Sequence, residues 1–423
     1  MPISKSEIPS NSMSEDELIR EAVLLAFCDP LPEQWSRLYS LTEKKWQRLL
    51  YWLDISGLGL YFIDRMVELR RCDILPRSVL ARLEQNLRDN MARTNGMIAE
   101  SVAIQREFQK SCLVYATLKG FSLFPNSVPK LELRHQFDLD FLIAEKCVIE
   151  AKRILEGQGY RLYAISGRSW EFKKNEMPGV SIKDLYKDLS GRSVELHVEA
   201  EIPGRPSLLE RIEEREFHGI VMPVLSPVDL LLGQGMHAYK HICSEFSRAA
   251  HLLEFRRHVL LRRDDESFWA ELRGRAEEDP RTHLGLGVVT LLITDVMGDF
   301  APLALTSWTV GSLPLATRLW VKLYGRHVAL GSFPGSKLYL LLQRELECAG
   351  IPAKRSLRQS LLPRRLPPPI VRRFENETLR VRILRYRMQL HFILLRLRFH
   401  LVEGIRYIRE SHRWHKYMDR YTP

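Results

Sequence analysis

Two aspartates in a short apolar run are the first residues whose types and spacing suggest chemistry. The run is FDLDFLI, residues 137–143, and it is typical of a strand with Asp138 and Asp140 two positions apart. Side chains at i and i+2 of a strand point to the same face, so these carboxylates stand roughly 6 to 7 Å apart. Like charges that close repel each other more strongly as water is excluded. We therefore expect a positively charged group between them.

A second segment carries polar residues at every other position. In SVELHVEAE, residues 193–201, a period of two places on one strand face the residues Glu195, His197, Glu199 and Glu201. If this strand lies beside the aspartate strand, a third carboxylate and an imidazole meet the aspartates. An ordinary amphipathic edge strand has the same pattern, so both interpretations stay open.

Groups suited to binding a phosphate lie upstream of the aspartates. Lys119 and Gly120 end a β-type run, and Ser122 follows them. Glycine lets a backbone approach a phosphate closely, while an ammonium and a hydroxyl add hydrogen-bond donors. Arg134, four residues before Asp138, either clamps a triphosphate or simply neutralises the carboxylates.

A later helix carries two histidines and a lysine on one face. His237 and His241 are four residues apart and Lys240 adjoins them, so all three lie near one side of a helix. The HxxxH spacing permits zinc binding, but the glutamate that follows the first histidine in metalloproteases is missing, which disfavours zinc. A packed core helix with half-buried histidines explains the pattern equally well.

These motifs occur in a recognisable order along the chain. The order is Leu-Lys-Gly, a loop, Arg-x-x-x-Asp-x-Asp, a helix ending in Gly-Tyr, and a strand with Glu-Leu-His. In this order the chain resembles the nucleotidyltransferase superfamily related to DNA polymerase beta, and more narrowly the bacterial group of uncharacterised nucleotidyltransferases. The resemblance covers roughly residues 35–260 and is strongest at residues 115–160.

The resemblance implies an Mg²⁺-dependent enzyme that transfers a nucleoside monophosphate from an NTP to an unidentified acceptor. In this family three carboxylates hold two Mg²⁺ ions, for which Mn²⁺ can substitute, and pyrophosphate is released. By position, Asp138 and Asp140 are the metal-bridging catalytic pair, and Glu195 is the third carboxylate, with Glu199 as the alternative. The residues expected to bind the substrate are Lys119, Gly120, Ser122, Arg134, His197 and Lys240.

The expected architecture is α+β: a nucleotidyltransferase-like mixed sheet with flanking helices, between an N-terminal helical region and a C-terminal helical region. Periodicity predicts helices before residue 110 and from Ser226 onward, and strands at YRLYAI, WEFKK and SVELHVEA. The expected boundaries are a disordered leader at 1–14, the N-terminal helical region at 15–110, the α+β core at 111–225, a helical domain at 226–350, and a Pro-rich linker with a basic helical tail at 351–423.

The bulk composition fits a cytoplasmic protein. The 423 residues are 45% hydrophobic, and the 6 cysteines are scattered without a CxxC pair, which argues against a disulfide framework or a cysteine zinc site. The N-terminal segment has no apolar core behind a basic start, unlike a secretory signal. No run of about 20 residues is apolar enough to predict a transmembrane segment.

The net charge of +11 is concentrated in the C-terminal tail. From Pro352 onward there are 18 Lys and Arg against 5 Asp and Glu, a net charge of +13. Three interpretations stay open for this tail: RNA binding, an amphipathic helix on an anionic membrane, or a helical hairpin packed on the domain. If the active site has decayed, the chain is instead a nucleotide-binding or adaptor protein whose tail binds RNA or a partner.

Overall fold

A mixed sheet forms the centre of the protein. The computed structural model describes residues 13–174, 184–188, 192–200, 206–348, 351, 356–361 and 378–421. The strands in these ranges are β1 (Tyr115–Leu118), β2 (Asp138–Ile143), β3 (Arg161–Ser166), β4 (Ser169–Lys174), β5 (Arg192–Val198), β6 (Ile212–Phe217) and β7 (Ile220–Leu225). Their order across the sheet is β3-β4-β5-β2-β1-β7-β6.

The register at the middle of the sheet brings the polar strands together. β2 pairs antiparallel with β1 and parallel with β5, and Asp140 is opposite Glu195. Because side chains alternate along β2, Leu139, Phe141 and Ile143 are buried on one face of the sheet. The two aspartates therefore lie on the other face.

Helices precede, interrupt and follow the sheet. The N-terminal helices are α1 (Glu15–Leu25), α2 (Glu43–Ser56), α3 (Gly59–Glu68) and α4 (Arg77–Lys110), and α5 (Val148–Gly157) follows β2. After the sheet come α6 (Pro227–Ile242), α7 (Ala249–Leu261), α8 (Glu266–Ala276), α9 (Pro280–Met297), α10 (Leu303–Thr306), α11 (Leu315–Trp320), α12 (Arg326–Ala329), α13 (Tyr339–Cys348), α14 (Leu357–Leu361) and α15 (Leu379–Tyr421).

The two faces of the sheet are covered by different helices. On the apolar face of β2, α4 and α5 contribute Phe108 and Leu155 to the core. On the aspartate face, Leu230 of α6 packs with Leu142 of β2. α6 starts where the sequence predicts, because the Ser226 hydroxyl accepts a hydrogen bond from the third residue of the helix and a proline occupies its first turn.

The N-terminal and C-terminal helices share one continuous apolar core. Trp46 of α2 and Phe62 of α3 belong to the same buried cluster as Leu253 of α7, Leu292 of α9 and Trp320 of α11. Helices that are far apart in the sequence are therefore held together by burial of large apolar side chains, which is the main source of their stability.

The predicted α+β class, with a helical region on either side of a mixed sheet, is confirmed. The helices expected before residue 110 are α1 to α4, and the segments YRLYAI, WEFKK and SVELHVEA form β3, β4 and β5. The β6–β7 hairpin was not predicted; its first strand reads IEEREF, and its turn is formed by His218 and Gly219 with positive φ angles of 46° and 77°. Residues 1–12 of the expected leader and residues 362–377 of the expected linker lie outside the described residues.

The tail helix α15 packs through one side only. Phe399, Tyr407 and Trp414 are buried against the body of the protein, and Trp414 donates a hydrogen bond to Glu345. The opposite side exposes a row of aliphatic side chains, defined here as the aliphatic stripe: Leu390, Leu394, Leu397, Leu401, Ile405 and Ile408. Across the described ranges, the helices are too short or too polar to cross a membrane.

Candidate active site

Three acidic or basic side chains meet where β2 and β5 run side by side. Asp140, Glu195 and His197 each offer a ligand atom, and these atoms lie within 4.8 Å of one another. The parallel register explains the meeting, because Asp140 is opposite Glu195 and His197 is two residues further along the same face. The structure thus brings together residues that the sequence analysis selected from two separate motifs.

Asp140 is the most enclosed member of the group. Its side chain is 4% exposed, and its Oδ1 accepts hydrogen bonds from Lys119 Nζ at 2.7 Å and from His197 Nε2 at 2.9 Å. Burial alone would raise the pKa of Asp140, but the His197 and Lys119 contacts outweigh it and lower the pKa to about 2. The positive group expected beside the aspartates is therefore the Lys119 ammonium in this arrangement.

Asp138 is half-buried and differs from its neighbour. Within the described residues its carboxylate makes no hydrogen bond or ion pair. Burial raises the pKa of Asp138, and the negative charge of Asp140 raises it further. A half-buried carboxylate that lacks a protein partner and adjoins a second one is the arrangement that a bound cation would stabilise.

Glu195, and not Glu199, lies beside Asp140. Glu195 accepts a hydrogen bond from the Ser169 hydroxyl, and its Oε2 lies 3.5 Å from His197 Nε2. Glu199 follows the end of β5 and instead accepts hydrogen bonds from the Ser207 hydroxyl and the backbone of Leu208. The strand register settles which glutamate lies beside Asp140, although the alternation of the sequence left both open.

The turn after β1 carries the predicted phosphate-binding residues. Lys119 and Gly120 have positive φ angles of 48° and 37°. The positive φ angle of Gly120 favours glycine, and a Cβ atom there would also require the Gln136 side chain to move, because it would lie 2.5 Å from Gln136 Oε1. Ser122 is fully buried and its hydroxyl donates to the carbonyl of Lys119 at 2.7 Å, so it does not face the carboxylates. Its predicted role in substrate binding stays untested.

Arg134 does not contact the aspartates directly. Its Nε lies 3.2 Å from Glu254 Oε1, and its Nη1 donates to Gln136 Oε1 at 3.3 Å. Burial opposes the charge of Arg134, but Glu254, and more weakly Asp138 and Asp140, outweigh burial and raise its pKa. The guanidinium is therefore anchored by one glutamate while its charge still acts on Asp138 and Asp140.

Sequence reasoning missed two charged residues next to this site. Glu254 accepts hydrogen bonds from Arg134 and, at 2.9 Å, from the Tyr61 hydroxyl. Arg248 makes no side-chain hydrogen bond or ion pair with the residues that the structure describes, and burial, followed by the charge of Arg134, lowers its pKa. The sequence does mark Glu254 as unusual, because it is a charged residue between Leu253 and Phe255 in an apolar helix. The sequence around Arg248 contains no comparable indication of a functional residue.

The predicted lysine of α6 lies apart from the carboxylates. Lys240 is exposed, and it makes no hydrogen bond or ion pair in the described part of the chain. Its predicted partners His237 and His241 face a third histidine, His251 of α7, with ring centroids 4.7 to 4.8 Å apart. The predicted role of Lys240 in substrate binding stays a prediction.

The carboxylate group is chemically suited to Mg²⁺. Mg²⁺ takes oxygen ligands, and Asp138, Asp140 and Glu195 supply carboxylate oxygens from two adjacent strands. Asp138 has no protein partner among the described residues, and the hydrogen bonds to Asp140 all fall on Oδ1, which leaves Oδ2 available. The three carboxylates fit a divalent-cation site, and so does the Asp138 charge, which has no protein partner among the described residues.

Comparison with known proteins gives one family match and one distant structural match. A family model described as uncharacterised nucleotidyltransferase matches residues 42–293. A solved structure, the solution structure of the antibiotic-resistance factor ANT(2'')-Ia, aligns with 45% of this chain and 97% of that chain, at 14% identity and a TM-score of 0.32. No match was found among curated proteins.

Proposed function

Because the chain belongs to the uncharacterised nucleotidyltransferase family, we propose that it transfers a nucleoside monophosphate from an NTP to an acceptor hydroxyl or phosphate and releases pyrophosphate. The observation that carries the proposal is the register of β2 against β5, with Asp140 opposite Glu195 and Asp138 two residues before it. When bound by these carboxylates, two Mg²⁺ or Mn²⁺ ions supply activation of the acceptor oxygen and stabilisation of the leaving pyrophosphate.

The remaining polar groups would bind and orient the nucleotide. Lys119 is within 2.7 Å of Asp140, so its ammonium can pass from the carboxylate to a phosphate oxygen when cations occupy the site. Arg134 is fixed by Glu254, and Arg248 has no competing partner among the described residues. His197 holds the orientation of Asp140 and Glu195 through its Nε2. Gly120 would let the turn approach the phosphates closely. Lys240 would bind the outer end of the triphosphate.

The experiment that tests this function is a transfer assay with labelled NTPs. The full-length protein is incubated with each α-labelled NTP, Mg²⁺ or Mn²⁺, and a cell extract as the source of acceptor. We expect pyrophosphate release together with label attached to one acceptor class, and neither product after chelation of the metal.

The cysteines support a reducing cytoplasmic setting for the reaction. They are scattered along the chain, and Cys28, Cys72, Cys112, Cys147 and Cys243 are all free thiols.

One contact favours a second candidate function. The Lys119 ammonium pairs with the carboxylate oxygen that a metal ion would share, as in a nucleotide-binding protein whose catalytic site has decayed. Such an adaptor would bind NTP without transferring it, and substitution of Glu195 would leave that binding unchanged. Tight NTP binding with no pyrophosphate release in the presence of extract would favour this alternative.

We also propose that the aliphatic stripe of α15 contacts an anionic membrane surface. A helix turns by about 100° per residue, so the stripe forms one continuous row, and every member is more than half exposed. Residues 379–421 contain 11 Lys and Arg against 3 Asp and Glu, and Arg387, Arg398 and Arg409 follow one edge of the stripe. An apolar row with an arginine edge suits an interface between lipid headgroups and acyl chains.

Flotation with lipid vesicles tests the membrane contact. The full-length protein should float with vesicles of phosphatidylcholine and phosphatidylserine, but less with phosphatidylcholine alone. Leu397→Ser with Leu401→Ser should reduce the bound fraction at least ~10-fold, because each buried leucine contributes about 1.5 kcal/mol or more. Leu303→Ser is the control, since Leu303 is 79% exposed and lies on α10, away from the stripe. Absence of flotation, or salt-sensitive binding to RNA alone, would contradict the membrane proposal.

A further inference from the structure

Three histidines from two helices converge beside the candidate active site. His237 and His241 lie on successive turns of α6, and His251 lies on α7. Each offers a ring nitrogen, and these three atoms lie within 4.8 Å of one another. The sequence disfavoured zinc because the glutamate that follows the first histidine in metalloproteases is missing, but the fold supplies a third histidine from a different helix.

The ring positions suit a shared central ion. The three ring centroids are separated by 4.7, 4.7 and 4.8 Å. With a Zn–N distance of about 2.0 Å, each ring centroid lies about 3 Å from the ion, and tetrahedral angles then separate the centroids by about 5 Å. Small side-chain rotations therefore suffice to direct three nitrogens to one point.

A carboxylate is positioned to orient one of the rings. His251 Nδ1 faces Glu254 Oε2 at 3.7 Å, and Glu254 is itself held by Arg134 and the Tyr61 hydroxyl. A hydrogen on Nδ1 leaves the Nε2 lone pair of His251 free to bind a metal. This contact is longer than a hydrogen bond; if it shortens to hydrogen-bond distance, the carboxylate fixes the tautomer and raises the basicity of the histidine.

Burial and neighbouring charges lower the pKa of all three histidines. Burial, followed by the neighbouring histidines, lowers the pKa of His237 to about 2, and burial with His251 lowers that of His241 to about 4. Neutral imidazole is the form that binds metals, so no proton has to be displaced near neutral pH. The nearby cations Lys119 and Arg134 are each paired with a carboxylate, Asp140 and Glu254. Arg248 and Lys240, which also act on His241, have no such partner among the described residues, so a bound ion would experience their repulsion.

His237 makes no contact that a metal ion would have to displace. Its ring is half-buried, and in the described part of the chain it makes no hydrogen bond or ion pair. Its nitrogens are not among the fully buried polar atoms without a partner, so they are accessible to an ion from solution.

We propose that His237, His241 and His251 bind one transition-metal ion, with Zn²⁺ as the ion best suited to three imidazoles. Imidazole nitrogen suits Zn²⁺, whereas carboxylate oxygen suits Mg²⁺, so this site and the carboxylate site select different metals. Three protein ligands leave a fourth position open for water or for a substrate atom. The site is independent of nucleotidyl transfer and requires no activity for its detection.

Metal titration of the full-length protein tests the site. After treatment with a chelator, the protein should bind one Zn²⁺ per chain by calorimetry, and Co²⁺ in its place should give the visible absorption of a tetrahedral ion. His237→Gln and His241→Gln should each weaken Zn²⁺ binding by more than ~100-fold, because loss of a ligand exceeds the ~10–100-fold cost of losing a supporting partner. Circular dichroism establishes that each variant is folded, and His251→Gln provides a third variant.

Two controls separate this site from the carboxylates and from the surface. His412→Gln changes an exposed histidine of α15 and should leave Zn²⁺ binding intact. Asp138→Asn should also retain it; if that variant loses Zn²⁺ instead, the ion belongs to the carboxylates and the proposal fails. Binding that is absent, or unchanged in all three histidine variants, also overturns it. Zn²⁺ binding without nucleotidyl transfer would contradict only the proposed function.

Discussion

Replacing Asp138 by asparagine should reduce nucleotidyl transfer by more than ~100-fold, since loss of a metal ligand exceeds the ~10–100-fold effect of losing a supporting residue. Asn keeps the size of the side chain but removes the charge that two divalent ions require. The carboxylate also has no protein partner among the described residues, so its removal leaves no protein group unsatisfied. Folding stability should stay the same or rise, because burial and Asp140 both disfavour the Asp138 charge.

A control on the neighbouring strand makes this result specific. Glu199→Gln applies the same chemical change four residues beyond Glu195, where the carboxylate accepts hydrogen bonds from the Ser207 turn. We expect Glu199→Gln to retain transfer and Glu195→Gln to lose it with Asp138→Asn. The rate of pyrophosphate release should therefore stay high in Glu199→Gln and fall in both Glu195→Gln and Asp138→Asn. Equal turnover in Asp138→Asn and the unsubstituted protein would remove the assignment.

Replacing Arg134 by alanine should lower the free energy of unfolding by about 3–5 kcal/mol, because it leaves Glu254 charged, buried and without its cation. The two side chains are only 15% and 5% exposed, so solvent cannot replace the lost contact. Chemical denaturation followed by circular dichroism measures the change. Arg134→Met with Glu254→Gln removes both charges, keeps an acceptor for Tyr61, and should recover at least half of the loss.

The same ion pair makes a prediction about acid. Burial would raise the pKa of Glu254, but Arg134 and His251 outweigh it and lower the pKa from 4.5 to about 2. A carboxyl with a depressed pKa stabilises the fold above its unfolded pKa, and this contribution is lost as pH falls towards 2. Arg134→Ala should therefore flatten the pH dependence of stability between about 4.5 and 2. An unchanged pH profile would show that Arg134 does not control this carboxyl.

Local patterns predicted the elements that carry the carboxylates. Alternation in FDLDFLI and SVELHVEA predicts two half-buried strands, and both are present as β2 and β5. The parallel register that sets Asp140 opposite Glu195 is a property of the assembled sheet, which the local pattern of either strand does not contain. For this reason the sequence left Glu195 and Glu199 as alternatives, and the structure distinguishes them.

Contacts between distant elements were the ones that the sequence could not predict. His251 joins His237 and His241 because α7 packs against α6, and neither helix contains all three residues. Glu254 and Arg134 are 120 positions apart and pair only in the folded protein. The β6–β7 hairpin was missed for a local reason, because charged residues on an edge strand hide the expected alternation.

The most direct test of the carboxylate site is anomalous diffraction from crystals grown with Mn²⁺ and a non-hydrolysable NTP analogue. Mn²⁺ accepts the same oxygen ligands as Mg²⁺ and reveals its position through its anomalous signal. We predict Mn²⁺ peaks within about 2.2 Å of oxygens of Asp138 and Asp140, with Glu195 in contact with at least one ion and the Lys119 ammonium moved to the triphosphate. A bound nucleotide with no Mn²⁺ at these carboxylates, and with Lys119 still paired to Asp140, would contradict the proposed enzyme.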